Sequence, residues 1–403
     1  MRLLKLFAVS ASLFGFVFSI ALLWLPHAWP FVVLNFSLAT SLLLLSIVAI
    51  GEKTPLDWHP LLLLPFAVAV LALGQLFAEA TIDPWETRRA AFEWAGFGLA
   101  SALGFQLLGQ PLHRLRFLQG FVCLAVALSL FAIAHNYAAP GKVFFVFDTG
   151  FRDQVFGPFV YHTKFANFIE LALAPALWLA MTSARNRLVY WGASAILLAS
   201  VAASSSRGGT LIVALEFSLL LFLYFRSTHS SHRPDLYRFL FLFFPTLAIA
   251  WLLLGAGSIT DRLKSSDALL DSRWAILASS LEMTKVYFWT GSGLGTWPLL
   301  YPEFARFDNG LRINQAHCDW IQWLIEGGLI ILALAITIFS TAVRIARVHW
   351  WAFGFVFVWI HGAIDYPMQQ TPALSALYFA FWGIALRASL PTASLDRSHS
   401  QFR

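Results

Sequence analysis

Apolar runs of about twenty residues recur along the whole chain, and a run of that length is what one helix needs to cross a hydrocarbon core. Twelve such spans are read, at roughly 3–25, 30–50, 60–80, 90–108, 117–135, 163–182, 188–205, 209–225, 238–256, 317–340, 349–365 and 371–387. Charged residues make up 12% of the 403, about half of the ~25% usual in a soluble domain. Such a chain cannot cover itself for water. The expectation is an all-α, polytopic integral membrane protein without a large separate extramembrane domain. Met1–Leu25 is read as an uncleaved first span: its apolar run exceeds the ~7–15 residues of a signal peptide's core, and no small-x-small site follows. Cys123 and Cys318 give no disulfide framework.

The net charge of +6 is read first as topology. With the N-terminus on the cytoplasmic side, the inner loops collect Arg2, Lys5, Lys53, Arg114, Arg116, Arg185, Arg187, Arg226, Arg233, Arg238, Arg344, Arg347 and Arg387. The short outer loops hold only Arg88, Arg89 and Arg207. Both termini are therefore expected inside. Two outer loops are long, about 136–162 and 257–316, and loops of that length usually carry function. They are rich in aromatic residues and hold cations that sorting does not explain: Lys142, Arg152, Arg262, Lys264, Arg273, Lys285, Arg306 and Arg312. The chain thus divides into nine spans (1–256), a long outer loop (257–316), three spans (317–387) and a Ser-rich tail (388–403) expected to be disordered. Within the second loop, Asp271-Ser272 is placed to cap a helix over about 273–289. Trp274, Leu277, Leu281 and Phe288 would form its apolar face, lying on the membrane surface.

Polar residues on spanning segments are costly and mark function. The stretch 314–328 dives from a polar loop into an apolar helix and carries His317, Asp319, Gln322 and Glu326. On a helix the last three share one face. His317 is either an interfacial packing residue or a general base; Glu326 is either a site residue or part of a packing network between helices. Arg207, in Ser204-Ser205-Ser206-Arg207-Gly208-Gly209, is either a snorkelling anchor or a ligand for phosphate, which a guanidinium holds through two parallel hydrogen bonds. Arg273 would pair with Asp271, with a lipid phosphate, or with that same ligand. Asp365, near the outer end of the eleventh span, either pairs with an outer arginine or ends its helix. Glu79, Asp83, Glu86, Arg88 and Arg89 crowd the loop after the third span and read as local ion pairing. Gly291-Ser292-Gly293-Leu294-Gly295-Thr296-Trp297 reads as a turn, since no strand precedes it and no Gly-Lys-Ser/Thr closes it. No ligand spacing for a metal is found.

Taken in order, Ser206-Arg207-Gly208, Arg273-Trp274, Gly291 to Thr296, and Ala316-His317-x-Asp319-x-x-Gln322-x-x-x-Glu326-Gly327 resemble the O-antigen ligase family. That family includes O-antigen ligases, polysaccharide polymerases and protein O-oligosaccharyltransferases. Gly157-Pro158-Phe159 with Phe165-Ala166, and His361-Gly362-Ala363-Ile364-Asp365-Tyr366-Pro367, resemble further family signatures, so the likeness spans about 157–387. Cys318 stands where the family often has Asn, as do Tyr161 and Thr163.

The resemblance implies a GT-C-like, metal-independent glycosyltransferase of the bacterial inner membrane with a periplasmic active site and no cofactor. Its donor would be a glycan on undecaprenyl diphosphate, and its acceptor lipid A–core or another glycan. Arg207 and Arg273 would hold the diphosphate and His317 would take the acceptor's proton. Asp319, Gln322, Glu326, Arg152, Lys164 and Asp365 would support the site or bind acceptor. Ligation is expected first. Polymerisation, and in another class a transporter or flippase or a structural membrane subunit, are the alternatives. Membrane lipids are the surrounding partner and nucleic acid is not expected.

Overall fold

The computed structural model describes residues 1–25, 29–150, 154–183, 185–227, 266–369 and 371–390. Over them the chain is helical apart from one two-stranded hairpin, Lys142–Val143 against Phe147–Asp148, and an isolated bridge between Phe156 and Phe159. In order come α1 (Arg2–Ala21), α2 (Trp29–Glu52), a 3-10 turn (Pro60–Leu63) continuing into α3 (Leu64–Phe77), α4 (Pro84–Leu107) and α5 (Pro111–Ala138). Then follow α6 (His162–Thr182), α7 (Arg187–Ala203), α8 (Arg207–Ser227), α9 (Ser266–Tyr287), α10 (Trp297–Phe304), α11 (Asp319–Ala346), a 3-10 turn (Trp350–Ala352) leading into α12 (Phe353–His361), and α13 (Pro372–Ser389). Several helices open on proline, whose fixed φ suits a first turn and whose missing N–H costs nothing there. In α4, Asp83 also caps the amides of Trp85 and Glu86 at 2.8 and 3.0 Å.

Among the described residues seven helices are long and apolar enough to cross a membrane: Arg2–Ala21, Trp29–Glu52, Pro60–Phe77, Pro111–Ala138, His162–Thr182, Arg207–Ser227 and Asp319–Ala346. Arg187–Ala203 and Trp350–His361 are shorter apolar helices. The chain is an all-α membrane protein. The predicted ninth span, 238–256, and the tail from 391 lie outside the described residues; the other predicted spans each coincide with a helix.

The middle of the molecule is α6. In its apolar window 89% of residues are buried, against 22–33% in the other six long helices, so α6 touches protein nearly all round while the others leave a broad apolar face open. It packs on α5, α7, α8 and α12. The approach to α12 is backbone to backbone: a Cβ on Gly354 would stand 2.7 Å from the Leu171 carbonyl oxygen. Close approach through small residues is how helices associate without a hydrophobic drive between them, and α4 and α13 use it too, at Gly104 and Gly383.

Four boundaries differ from the sequence expectation. The helix expected over 273–289 runs from Ser266 to Tyr287, so Arg273 lies in its second turn and position 271 is inside the helix rather than at its start. Its packed face is Ile276, Ser279, Ser280 and Met283, where Ile276 and Met283 join Trp297, Leu300 and Tyr301 of α10 and Ile325 of α11; Trp274 and Leu281 stay exposed, as do Val286 and Trp289. Glu86, Arg88 and Arg89 are in the first turns of α4 rather than in a loop. The eleventh span ends at His361, which leaves Asp365 in the following turn.

The tenth span is not one smooth helix. Gly328 breaks α11 with φ +66°, ψ −168°. There the segment 288–293 lies against the break: Ser292 and Gly293 amides donate to the Ile325 and Glu326 carbonyls, and the Leu329 amide donates to Phe288 O. A side chain at Gly328 would meet the Trp289 carbonyl oxygen at 2.3 Å, and one at Gly291 the Glu326 carbonyl oxygen at 2.2 Å. The glycine-rich turn therefore locks α9 to the start of α11. That lock sets where Arg273 stands relative to His317.

Candidate active site

The N-terminal turns of α6, α8 and α11 meet the turn that follows α12. His317 lies two residues before α11 and has φ +54°, a left-handed conformation unusual for a residue with a Cβ. Such strain persists only where neighbours enforce it, and it concentrates at functional sites. Here the Ala316 amide donates to Gln322 Oε1 at 3.1 Å, and the Asp319 amide donates to Gly362 O at 2.8 Å. Both tie the segment down on either side of the imidazole. The ring meets Tyr366 edge to face, centroids 4.9 Å apart. His317 Nδ1 lies 3.5 Å from Asp365 Oδ1, with a quarter of the His317 side chain exposed.

Asp365 connects that imidazole to a buried polar chain. Its Oδ2 lies 4.0 Å from His361 Nε2. His361 Nδ1 lies 2.6 Å from Glu170 Oε1 and 2.8 Å from Asn167 Nδ2, both on α6. A proton on Nδ1 is held by Glu170, so that Nε2 is the nitrogen turned toward Asp365; partner identity fixes the tautomer. Burial opposes the charge on Asp365, but the contact with His317 and the charges of His361, Lys164 and Arg273 outweigh it and hold the carboxyl below its ordinary range. Lys164 ties the turn itself. Its ammonium donates to the carbonyls of Tyr366 and Gln369 and sits 4.2 Å from the Tyr366 ring centroid. Asp319 Oδ2 accepts from the Met368 amide at 3.0 Å.

The two arginines stand at the edge of this cluster, and both are exposed. Arg207 opens α8, after a turn in which Ser205 has φ +59° and Ser206 Oγ accepts from the Gly209 amide at 3.2 Å. A cation at the positive end of a helix is unfavourable unless an anion joins it. The next residue, Gly208, is lodged against the buried chain, since a Cβ there would lie 3.0 Å from His361 Nε2. Arg273 is placed so that its charge acts on both Asp365 and Tyr366. Among the described residues neither arginine forms an ion pair within 4 Å, and no group of three His, Cys, Asp or Glu side chains could hold a metal ion.

Gln322 and Glu326 belong to a different cluster. Glu326 Oε1 accepts from Gln322 Nε2 at 3.0 Å and from the Trp297 amide at 3.2 Å. Gln75 of α3 donates to the Glu326 and Thr290 carbonyls and accepts from the Leu294 amide. These groups brace the glycine-rich turn. Arg152 lies outside the described residues. Sequence reasoning passed over Asn167, Glu170 and the contacts of His361. The signal was present: Lys164, Asn167 and Glu170 recur at i, i+3, i+6 in an apolar run, a polar stripe comparable to Asp319, Gln322 and Glu326 at i, i+3, i+7.

The O-Antigen ligase family model matches residues 192–336. No curated protein matches the chain. The matched stretch contains Arg207, Arg273 and His317, while Lys164, Glu170, His361 and Asp365 reach the cluster from outside it. Residues 192–336, somewhat more than a third of the chain, are therefore similar to the O-antigen ligase family.

Proposed function

We propose that this chain is a metal-independent glycosyltransferase of the bacterial inner membrane, moving a glycan from undecaprenyl diphosphate to lipid A–core on the periplasmic face. In this reading the fold is GT-C-like with twelve spans and both termini in the cytoplasm. One observation carries it: the imidazole of His317 stands beside Asp365, which also feels Arg273, while α8 presents Arg207 one residue from the contact with His361. The acceptor hydroxyl attacks the anomeric carbon, the bond from that carbon to the diphosphate oxygen breaks, and the proton passes to His317 Nε2. Asp365 holds the opposite nitrogen and steadies the imidazolium. A contact of 3.5 Å shortens readily once substrate is bound, as catalytic hydrogen bonds commonly do. The leaving diphosphate gains charge in the transition state, and fixed guanidinium groups favour that charge most where it develops.

The test is reconstitution. Purified protein, a defined undecaprenyl-diphosphate glycan and lipid A–core, with EDTA present, should yield glycosylated core. No transfer by a folded preparation, or transfer only on adding a divalent metal, overturns the reading. Lipopolysaccharide from a deletion strain separates ligase from polymerase: capped core without polymer for the first, core bearing a single repeat unit for the second. A transporter would instead move its substrate into proteoliposomes without forming any glycosidic bond.

A further inference from the structure

A cleft of about 100 Å³ opens between α4, the glycine-rich turn and the segment that leads into His317. It is several times the ~10–15 Å³ that holds one water molecule. Arg89 and Glu93 from α4, Gln315 and Gln369 line its polar side, and Trp94 and Trp323 its apolar side. The two indoles meet edge to face at 6.0 Å. Gln315 Oε1 is buried yet has no hydrogen-bond partner among the described residues, and a buried acceptor left unmade is costly. The cleft is adjacent to the base: Gln315 is two residues from His317, and Gln369 O accepts from Lys164, which stacks on the tyrosine that touches the imidazole.

Charge argues against a phosphate here. The Arg89 guanidinium is already paired with Glu86 and Glu93, each at 2.8 Å, and Glu326 adds a further carboxylate to the lining. Arg207 and Arg273, which form no ion pair among the described residues, are presented from α8 and α9. What suits amides, a neutralised arginine and carboxylates beside indole is an uncharged polyol: its hydroxyls both donate and accept, and its C–H face packs on an aromatic ring. We infer that this cleft is a saccharide subsite, taking the sugar ring of the acceptor that presents its hydroxyl to His317. The inference rests on the transferase reading above for the word acceptor, and on the cleft alone for the sugar.

The full-length protein in detergent is titrated with the methyl glycosides of glucose, galactose and N-acetylglucosamine up to tens of millimolar. Tryptophan fluorescence and saturation-transfer NMR are the readouts. At least one glycoside should give a saturable response, weakened about tenfold or more by Gln315→Ala and by Arg89→Met, and kept by His317→Ala. Inorganic phosphate should not compete. No saturable response, a response unchanged in both cleft variants, or displacement by phosphate overturns the subsite. In the transfer assay Gln315→Ala should raise KM for acceptor with kcat little changed; an effect on kcat alone also overturns it. The two readings fail separately. Sugar binding lost in the cleft variants alongside normal transfer by His317→Ala sinks the base and leaves the subsite standing. Abolished transfer by His317→Ala with sugar binding indifferent to Gln315→Ala does the reverse.

Discussion

Two polar clusters sit at the start of α11, and they differ in how completely they are satisfied. Around Glu326, the carboxylate, Gln322, Gln75 and the amides of the glycine-rich turn bond to one another in a closed network. Around His317 the chain is open. His317 Nδ1, Asp365 Oδ1, Asp319 Oδ1 and His361 Nε2 are buried without a hydrogen-bond partner among the described residues, their neighbours standing at 3.5–4.0 Å where any approach. A buried polar group without a bond costs free energy, so the closed network reads as architecture and the open chain as polar groups that can still engage a substrate. The difference predicts opposite phenotypes from substitutions a few residues apart.

The largest effect is expected at His317. His317→Ala should lower initial transfer rates by about 10²–10⁴, the usual contribution of a general base, while the melting temperature of the purified protein stays put. Arg207→Ala comes next. Losing a charge-assisted hydrogen bond worth roughly 1.5–3 kcal/mol corresponds to about a 10- to 150-fold loss in kcat/KM for donor. Arg207→Lys, which keeps the charge but not the paired geometry, should recover part of it. Full activity in either alanine variant would erase the distinction between the clusters from the open side.

Glu326→Ala probes the closed side. It strips the Trp297 amide and the Gln322 side chain of their acceptor, at about 1–3 kcal/mol for each group left unmade. The melting temperature and yield should drop, while activity per folded molecule falls less than tenfold. A stable but inactive Glu326→Ala protein would move that carboxylate into the catalytic machinery.

Most of the architecture was legible because hydrophobic run length is a strong local signal. The helix starts missed by a few residues, at α4 and α9, are places where charged or polar residues occupy first turns and hydropathy alone sees a loop. The break at Gly328 was not legible. It depends on a segment some forty residues upstream, 288–293, lying against α11, and only tertiary contact shows that. At the candidate site, the residues of the helix entry and the arginine turns stood out in the sequence because each interrupts an apolar pattern. Glu170 and Asn167 were missed because an apolar run with two polar residues still passes as a span, and nothing local says that α6 is enclosed on all sides. On α9, Trp274 and Leu281 of the apolar face read from the sequence stay exposed, and the opposite face, with Ile276 and Met283, is the one buried against α10 and α11, a contact that no local pattern announces.

Glu170 sharpens the comparison further, being closed toward His361 and reaching the open chain only through it. Glu170→Gln keeps the size and an acceptor but removes the charge. As a positioning residue it should lower kcat about tenfold with KM for donor and acceptor unchanged. An equal effect on both parameters, or none, would make the Glu170–His361 contact purely structural.

The smallest effect is expected at Cys318. This residue takes the N-cap position of α11, with φ −158° and ψ +106°, yet provides no side-chain cap hydrogen bond. Its thiol is buried between the two clusters, where a hydroxyl oxygen of nearly the same reach could accept from the amides of Trp320 or Ile321. Replacing a non-capping residue by Ser, Asn or Asp at such a position is typically worth about 0.5–2 kcal/mol. A sulfur that already leans on those amides reduces the gain, so Cys318→Ser should raise the melting temperature by only a degree or two and leave transfer unchanged. A fall in activity with no change in stability would mean that the residue after His317 touches substrate, and the boundary between architecture and chemistry would then run through Cys318 itself.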